Sequence, residues 1–272
     1  MTTTSAARER AANGSRIARA HRQTWGLVGI AVVLFAVLRF SFGALSQDPS
    51  YHLFADERTW MAIPRAGDVL SNLAILGAGL AGVLLWRRVH IDPGERAAYA
   101  LLVVGMLMTA FGSAYYHWAP SDARLIWDRL PMTFVLAATV ALVLADRVDP
   151  AFARVAWWPF ALLGIAALAW WAWSGDLLFY LVMRIGSGLL IVGLCLLRTG
   201  RHSHIGWLVA ALALDIVMTL SERMDREIFA VTQGFLSGHN LKHLLAGVLL
   251  ACVLMWLVQR EPRPTPPVEQ KA

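Results

Sequence analysis

Charge is scarce in this sequence: Asp, Glu, Lys and Arg make up 15% of its 272 residues, where a soluble domain of this size carries about a quarter. That scarcity excludes a water-facing surface over most of the chain, 58% of which is hydrophobic. Cysteine is nearly absent. Cys195 and Cys252 both lie inside apolar runs, which excludes a disulfide framework or a cysteine-built metal site and leaves two packed thiols. The apolar runs lack the two-residue alternation of a membrane β-barrel. They also lack matched Gly- or Pro-broken helices in equivalent halves, which argues against a transporter of inverted repeats.

What is there instead is a series of apolar runs of about 20 residues, each long enough to cross a hydrocarbon core of about 30 Å. Inside lipid every backbone amide must be bonded within its own element, so such runs form α-helices. The sequence therefore predicts an all-α, polytopic membrane helix bundle with spans at roughly 24–45, 67–86, 97–118, 126–145, 154–174, 177–197, 205–221 and 238–258. Residues 1–23, rich in Ala and Arg, read as a basic cytoplasmic tail, disordered or lying on the surface. The first span is too long for a signal peptide's apolar region and contains Arg39, so it reads as a retained helix. Residues 259–272, with Pro262, Pro264, Pro266 and Pro267, read as a solvated tail.

The basic residues set the orientation. With the N-terminus inside, that side holds fifteen of them: Arg8, Arg10, Arg16, Arg19, Arg22, Arg87, Arg88, Arg96, Arg147, Arg154, Arg198, Arg201, Arg260, Arg263 and Lys271. The opposite side holds six: Arg58, Arg65, Arg124, Arg129, Arg223 and Arg226. This bias predicts both termini in the cytoplasm. It also accounts for the net charge of +6 and the pI near 9.9 without nucleic acid as a partner. Heavy use of Arg and Ala suggests a GC-rich bacterial source, which would make the membrane an inner one and its far side periplasmic.

Three helix-borne histidines fall at one depth beneath the outer face. His239 and His243 are four residues apart at the start of the last span, so both imidazoles share a helix face. His117 ends the third span, and Ser113 lies one turn deeper on its face. Three imidazoles with an open fourth position suit a catalytic zinc. Asn240 stands where zincin proteases carry Glu, so a carboxylate base must come from elsewhere. Asp128, eleven residues after His117 across a tight connection, is the candidate. Each residue alone has a plainer reading: an interfacial His, a helix-capping Asp, a Ser bonded back to its own helix. Together they form a set of costly intramembrane polar groups, which is the mark of a functional site.

At these residues the chain resembles the alkaline ceramidases, within the superfamily that also holds the adiponectin-receptor-like proteins. The shared pattern is Ser113-x-x-x-His117, then Asp128, then His239-x-x-x-His243, in that order. Asp128-Arg129-Leu130-Pro131-Met132 is similar to the family's Asp-Glu-Leu-Pro-Met stretch, and Ser71-Asn72 to the Ser-Asn pair of its first core helix. The resemblance implies a seven-helix core over 67–258, preceded by an additional helix and outer loop over 24–66. It further implies Zn²⁺ on His117, His239 and His243, a water activated there, Asp128 as general base and then acid, Ser113 as a donor to the oxyanion, and a membrane lipid amide as substrate. The animal enzymes add a calcium site. Here the loop offers Asp56 and Glu57 and the helix Asp68, but Arg65 stands where the family's Glu is expected, which speaks against calcium. The second reading is a receptor-like protein that uses the same zinc structurally, although the short loops offer little surface for a protein ligand.

Among the remaining charges, Arg184 and Asp215 both sit about 9–11 Å deep, which predicts a buried ion pair. Lys242 is expected to snorkel to the interface. Tyr115, Tyr116 and Trp118 read as interfacial anchors and the tryptophans of the fifth span as mostly lipid-facing or packing residues. Glu222, Arg223, Asp225 and Arg226 read as a solvated helix end, the alternative being a rim of the substrate entrance.

Overall fold

The computed structural model describes residues 2–263. The elements, in order, are α1 (Thr2–Phe42), a loop with a short 3-10 turn at Pro49–His52, α2 (Ala66–Ser71) and, after Asn72, α3 (Leu73–Leu84), then α4 (Arg96–Trp118) and α5 (Asp122–Arg147). They continue with the short α6 (Phe152–Val155), α7 (Trp157–Ser174), α8 (Leu178–Leu197), α9 (Gly206–Arg223), the short α10 (Asp225–Val231) and α11 (Gly238–Gln259). The described residues contain no strand, and the chain is an all-α polytopic bundle.

Every expected span is helical. Six are long and apolar enough to cross a membrane: α1, α2 with α3, α4, α5, α8 and α11. That makes the chain a multi-pass membrane protein. The other two, α7 and α9, have 18 residues each. Five tryptophans dilute the hydropathy of α7, and α9 carries Asp215, Glu222 and Arg223. The helix starts are set locally. Ser121 accepts a hydrogen bond from the Arg124 amide at the head of α5, and Ser237 accepts one from the Asn240 amide at the head of α11.

The stretch before the first span is not an irregular tail. It continues α1, a helix of 41 residues and about 61 Å, because Ala and Arg are strong helix formers and no proline interrupts them. Arg16 is tied to Asp149 at 3.0 Å, and Arg39 reaches the buried Asp176 at 2.9 Å. Of the expected C-terminal tail, residues 264–272 lie outside those described.

Neighbouring helices pack in the order α9, α11, α3, α4, α5, α7, α8, with α1 outside against α6, α7 and α8. The ring has one break among the described residues: α8 and α9, consecutive in the chain, barely touch. The expected Arg184–Asp215 ion pair is therefore not made. Both residues are exposed on the two sides of the break, since adjacency in sequence does not make these helices neighbours in space. At the end of the bundle away from the histidines, the fully buried Arg260 donates to Glu95 and to the His90 carbonyl. The end of α11 is thereby clasped to the start of α4.

Two small residues bring the helices close where the site is built. Gly247 of α11 faces the Ala74 backbone of α3, and an added Cβ would meet its carbonyl oxygen at 2.7 Å. Gly112 of α4 lies against the carbonyl of Trp127 in α5. That carbonyl has no partner from residue 131, where proline lacks the amide hydrogen. Gly112→Ala is expected to force α4 and α5 apart and to destabilise the protein by about 1–3 kcal/mol, the cost of overpacking. Thermal denaturation in detergent checks this.

Candidate metal centre

The sequence-predicted histidines converge. His117 comes from the end of α4, and His239 and His243 come from the first two turns of α11. All three are buried, at 1%, 3% and 3% exposure. One ligand nitrogen from each lies within 4.8 Å of the others, and the three rings meet pairwise at centroid distances of 4.7–4.9 Å. The Nε2 atoms of His117 and His239 are 3.1 Å apart. Two nitrogens bound tetrahedrally to one zinc at about 2.0–2.1 Å stand about 3.3 Å apart, so the donor set and its spacing fit a metal ion.

Groups behind the imidazoles orient them, as the outer partners of metal-binding histidines do. Nδ1 of His243 lies 2.8 Å from Ser71 Oγ, and that hydroxyl is also within 3.1 Å of the Asp68 carbonyl. With Nδ1–H donating to Ser71 and Ser71 donating to the carbonyl, Nε2 of His243 is left to face the cluster. Glu222 Oε1 stands 3.9 Å from Nδ1 of His239. A cavity of about 330 Å³, lined in part by Tyr51, Phe54, Glu222, Arg226 and His239, opens beside the cluster.

Asp128 and Ser113 are brought together. Asp128 is no helix cap, because Ser121 fills that place and Asp128 lies inside α5. It faces the Ser113 hydroxyl, which stabilises its charge. Ser113 is one turn from His117 on the same face of α4, and Gly112 sets the close approach of α4 to the Trp127–Asp128 backbone.

Several functional contacts were not foreseen, chiefly those of the loop at 43–65. Phe54 lays its ring across His117 and His239 at 4.7 and 4.5 Å. The loop is held down by Asp225, which accepts from the amide of Ala55 at 2.8 Å and from that of His239 at 2.7 Å. Asp225 therefore joins loop to helix and does not end a helix in water. Lys242 does not snorkel. It donates to Glu222 at 2.7 Å with 18% of its side chain exposed, because the acidic end of α9 offers a nearer partner than the interface. Tyr116 is not an interfacial anchor either: it is 1% exposed and bonds His52 Nδ1 through its hydroxyl at 2.9 Å. Tyr115 and Trp118 are exposed as expected, at 48% and 46%, and of the α7 tryptophans Trp173 is exposed and Trp171 packs inside.

The acidic residues considered for calcium are engaged with protein partners in part. Asp56, fully buried, binds the Arg58 guanidinium through both oxygens at 2.7 Å and accepts from Asn240 at 3.2 Å. Burial alone would raise its pKa, but the hydrogen bonds and charge of Arg58, with the Asn240 amide, outweigh that and hold the carboxyl below its ordinary value of 3.8. A carboxyl depressed on folding stabilises the fold above its ordinary value, and that contribution disappears as pH falls through the lowered one. The melting temperature is therefore expected to drop more steeply below about pH 4 for the native sequence than for Asp56→Asn, read by melts across an acid series.

No protein-family model matches the chain, and neither does any curated protein or any solved structure.

Proposed function

We propose that this protein is a zinc-dependent intramembrane hydrolase, of the kind typified by the alkaline ceramidases, that cleaves the amide bond of a ceramide-like lipid. The observation that carries this reading is the convergence of three buried imidazoles from two distant segments of chain, with a carboxylate–hydroxyl pair one helical turn away. Zinc held by His117, His239 and His243 would supply Lewis acidity toward a carbonyl and lower the pKa of water from 15.7 to about 7. The chain supplies the rest. Asp128 on α5, facing Ser113, takes a proton from the attacking water and returns it to the departing amine. Ser113 steadies the Asp128 carboxylate in the resting site and is placed to donate to the carbonyl oxygen as charge builds there, a donor worth about 2.7–4 kcal/mol where such groups have been removed.

The break between α8 and α9 supports a lipid substrate. It leaves a lateral opening bordered by apolar side chains such as Ile185, Leu189, Ile216 and Leu220, all exposed, through which acyl chains can lie while the amide reaches the cluster. The same reading places both termini in the cytoplasm of a bacterial inner membrane and the histidines beneath its outer face. Purified protein is expected to contain about one zinc per chain and to release fatty acid from a ceramide in detergent micelles. Prolonged dialysis against a chelator is expected to abolish turnover, and added zinc to restore it. Full zinc content with no turnover of any lipid amide or ester would instead fit a receptor-like protein with a structural ion.

A further inference from the structure

Arg129 is a buried cation without an anion. It is 7% exposed, and its guanidinium stands over the rings of Trp171 at 4.7 Å, Tyr180 at 5.1 Å and Tyr51 at 5.4 Å. One edge is used, Nη2 donating to Gln47 Oε1 at 2.8 Å. The other edge is not: Nη1 is buried and donates to nothing. Among the described residues no carboxylate oxygen lies within 4.0 Å of the group. A charge in this position is costly unless it has a partner. Aromatic rings satisfy the faces of a guanidinium but leave its N–H edges for a planar oxyanion, the geometry that carboxylates and phosphates present.

The nearest other cation has its own partner, Lys242 being paired with Glu222 at 2.7 Å, while Asp128, the neighbour in sequence, faces Ser113 and does not reach the guanidinium within 4.0 Å. The Nη1 edge of Arg129 is thus left without an acceptor. Arg129 is linked to the imidazoles through its partner ring: Tyr51 bonds Glu222 at 3.2 Å, and Glu222 lies 3.9 Å from His239. In the ceramidase stretch that this segment resembles, the residue after the Asp is Glu, so the charge here is reversed.

We infer that Arg129, boxed by Tyr51, Trp171 and Tyr180, forms an anion subsite, and that among lipid amides this protein prefers one carrying a carboxylate or phosphate close to the bond to be cut. The inference rests on the hydrolase reading for the cutting, but the subsite can be tested by binding alone. The probes are N-oleoylglycine and its neutral carboxamide, N-oleoylglycinamide, titrated calorimetrically into zinc-loaded protein in detergent. The native protein is expected to prefer the carboxylate about tenfold, the effect of one charge-assisted contact. Arg129→Gln is expected to bind both lipids alike, and Arg129→Lys to keep part of the preference, with zinc content and melting temperature confirming that each variant is folded. An unchanged preference in folded Arg129→Gln overturns the subsite. Displacement of N-oleoylglycine by inorganic phosphate overturns the lipid headgroup as its occupant in favour of a free anion. The native protein is also assayed for hydrolysis of both lipids. A carboxylate preference without hydrolysis of either sinks the hydrolase reading alone, and hydrolysis without preference sinks the subsite alone.

Discussion

Replacing His243 by alanine is expected to lower bound zinc from about one ion per chain to below about a tenth, and to abolish lipid hydrolysis with it. Three nitrogens are the least that a catalytic zinc site keeps, and only two, those of His117 and His239, remain. His243 is the informative member because its Nδ1 is held by Ser71 at 2.8 Å, so its ring is already aimed before any ion arrives. Removing it deletes the best-oriented ligand and leaves the α11 backbone to the Ser237 cap and the Asp225 contact. Metal analysis by mass spectrometry, with circular dichroism to confirm helicity, decides it. Full zinc content in the folded variant would remove the metal centre from the account.

The second large effect separates chemistry from binding. Asp128→Asn is expected to cut the hydrolytic rate by about 10²–10⁴, the usual contribution of a positioned general acid–base, while zinc content stays near one per chain. Asparagine keeps the shape and can still accept from Ser113, so helix contacts at Gly112 persist, but it cannot take the proton of an attacking water. Single-turnover assays on a ceramide substrate at saturating zinc read this out. A variant that loses zinc and activity together would place Asp128 among the groups that shape the metal site, and a fully active one would remove it from the chemistry.

The helices and the three histidines were readable from sequence because both depend on local periodicity. Twenty apolar residues make a span whatever lies beside it, and His239 with His243 share a face through helical geometry alone. His117 and Ser113 follow by the same four-residue step. The loop before α2 was not readable, because its fixings are single contacts across long stretches of chain with no repeat to betray them: Phe54 on two imidazoles, Ala55 on Asp225, Asp56 on Asn240. Lys242 and Tyr116 were misplaced for a related reason. At the level of sequence an interfacial polar residue is assigned to water, and only the fold shows that Glu222 and His52 lie nearer. The Arg184–Asp215 pairing failed on topology, since α8 and α9 stand on opposite sides of the opening in the ring.

The phenyl ring of Phe54 has a kinetic corollary. It is 7% exposed and stands against two of the three imidazoles, so the segment bearing that ring narrows the way to an ion held there, and that way widens when the segment lifts and Asp225 releases both amides it holds. Loading during biogenesis, while the segment is still unfolded, would then be rapid, and subsequent loss to competing metals in the surrounding medium slow, whatever the equilibrium preference among them.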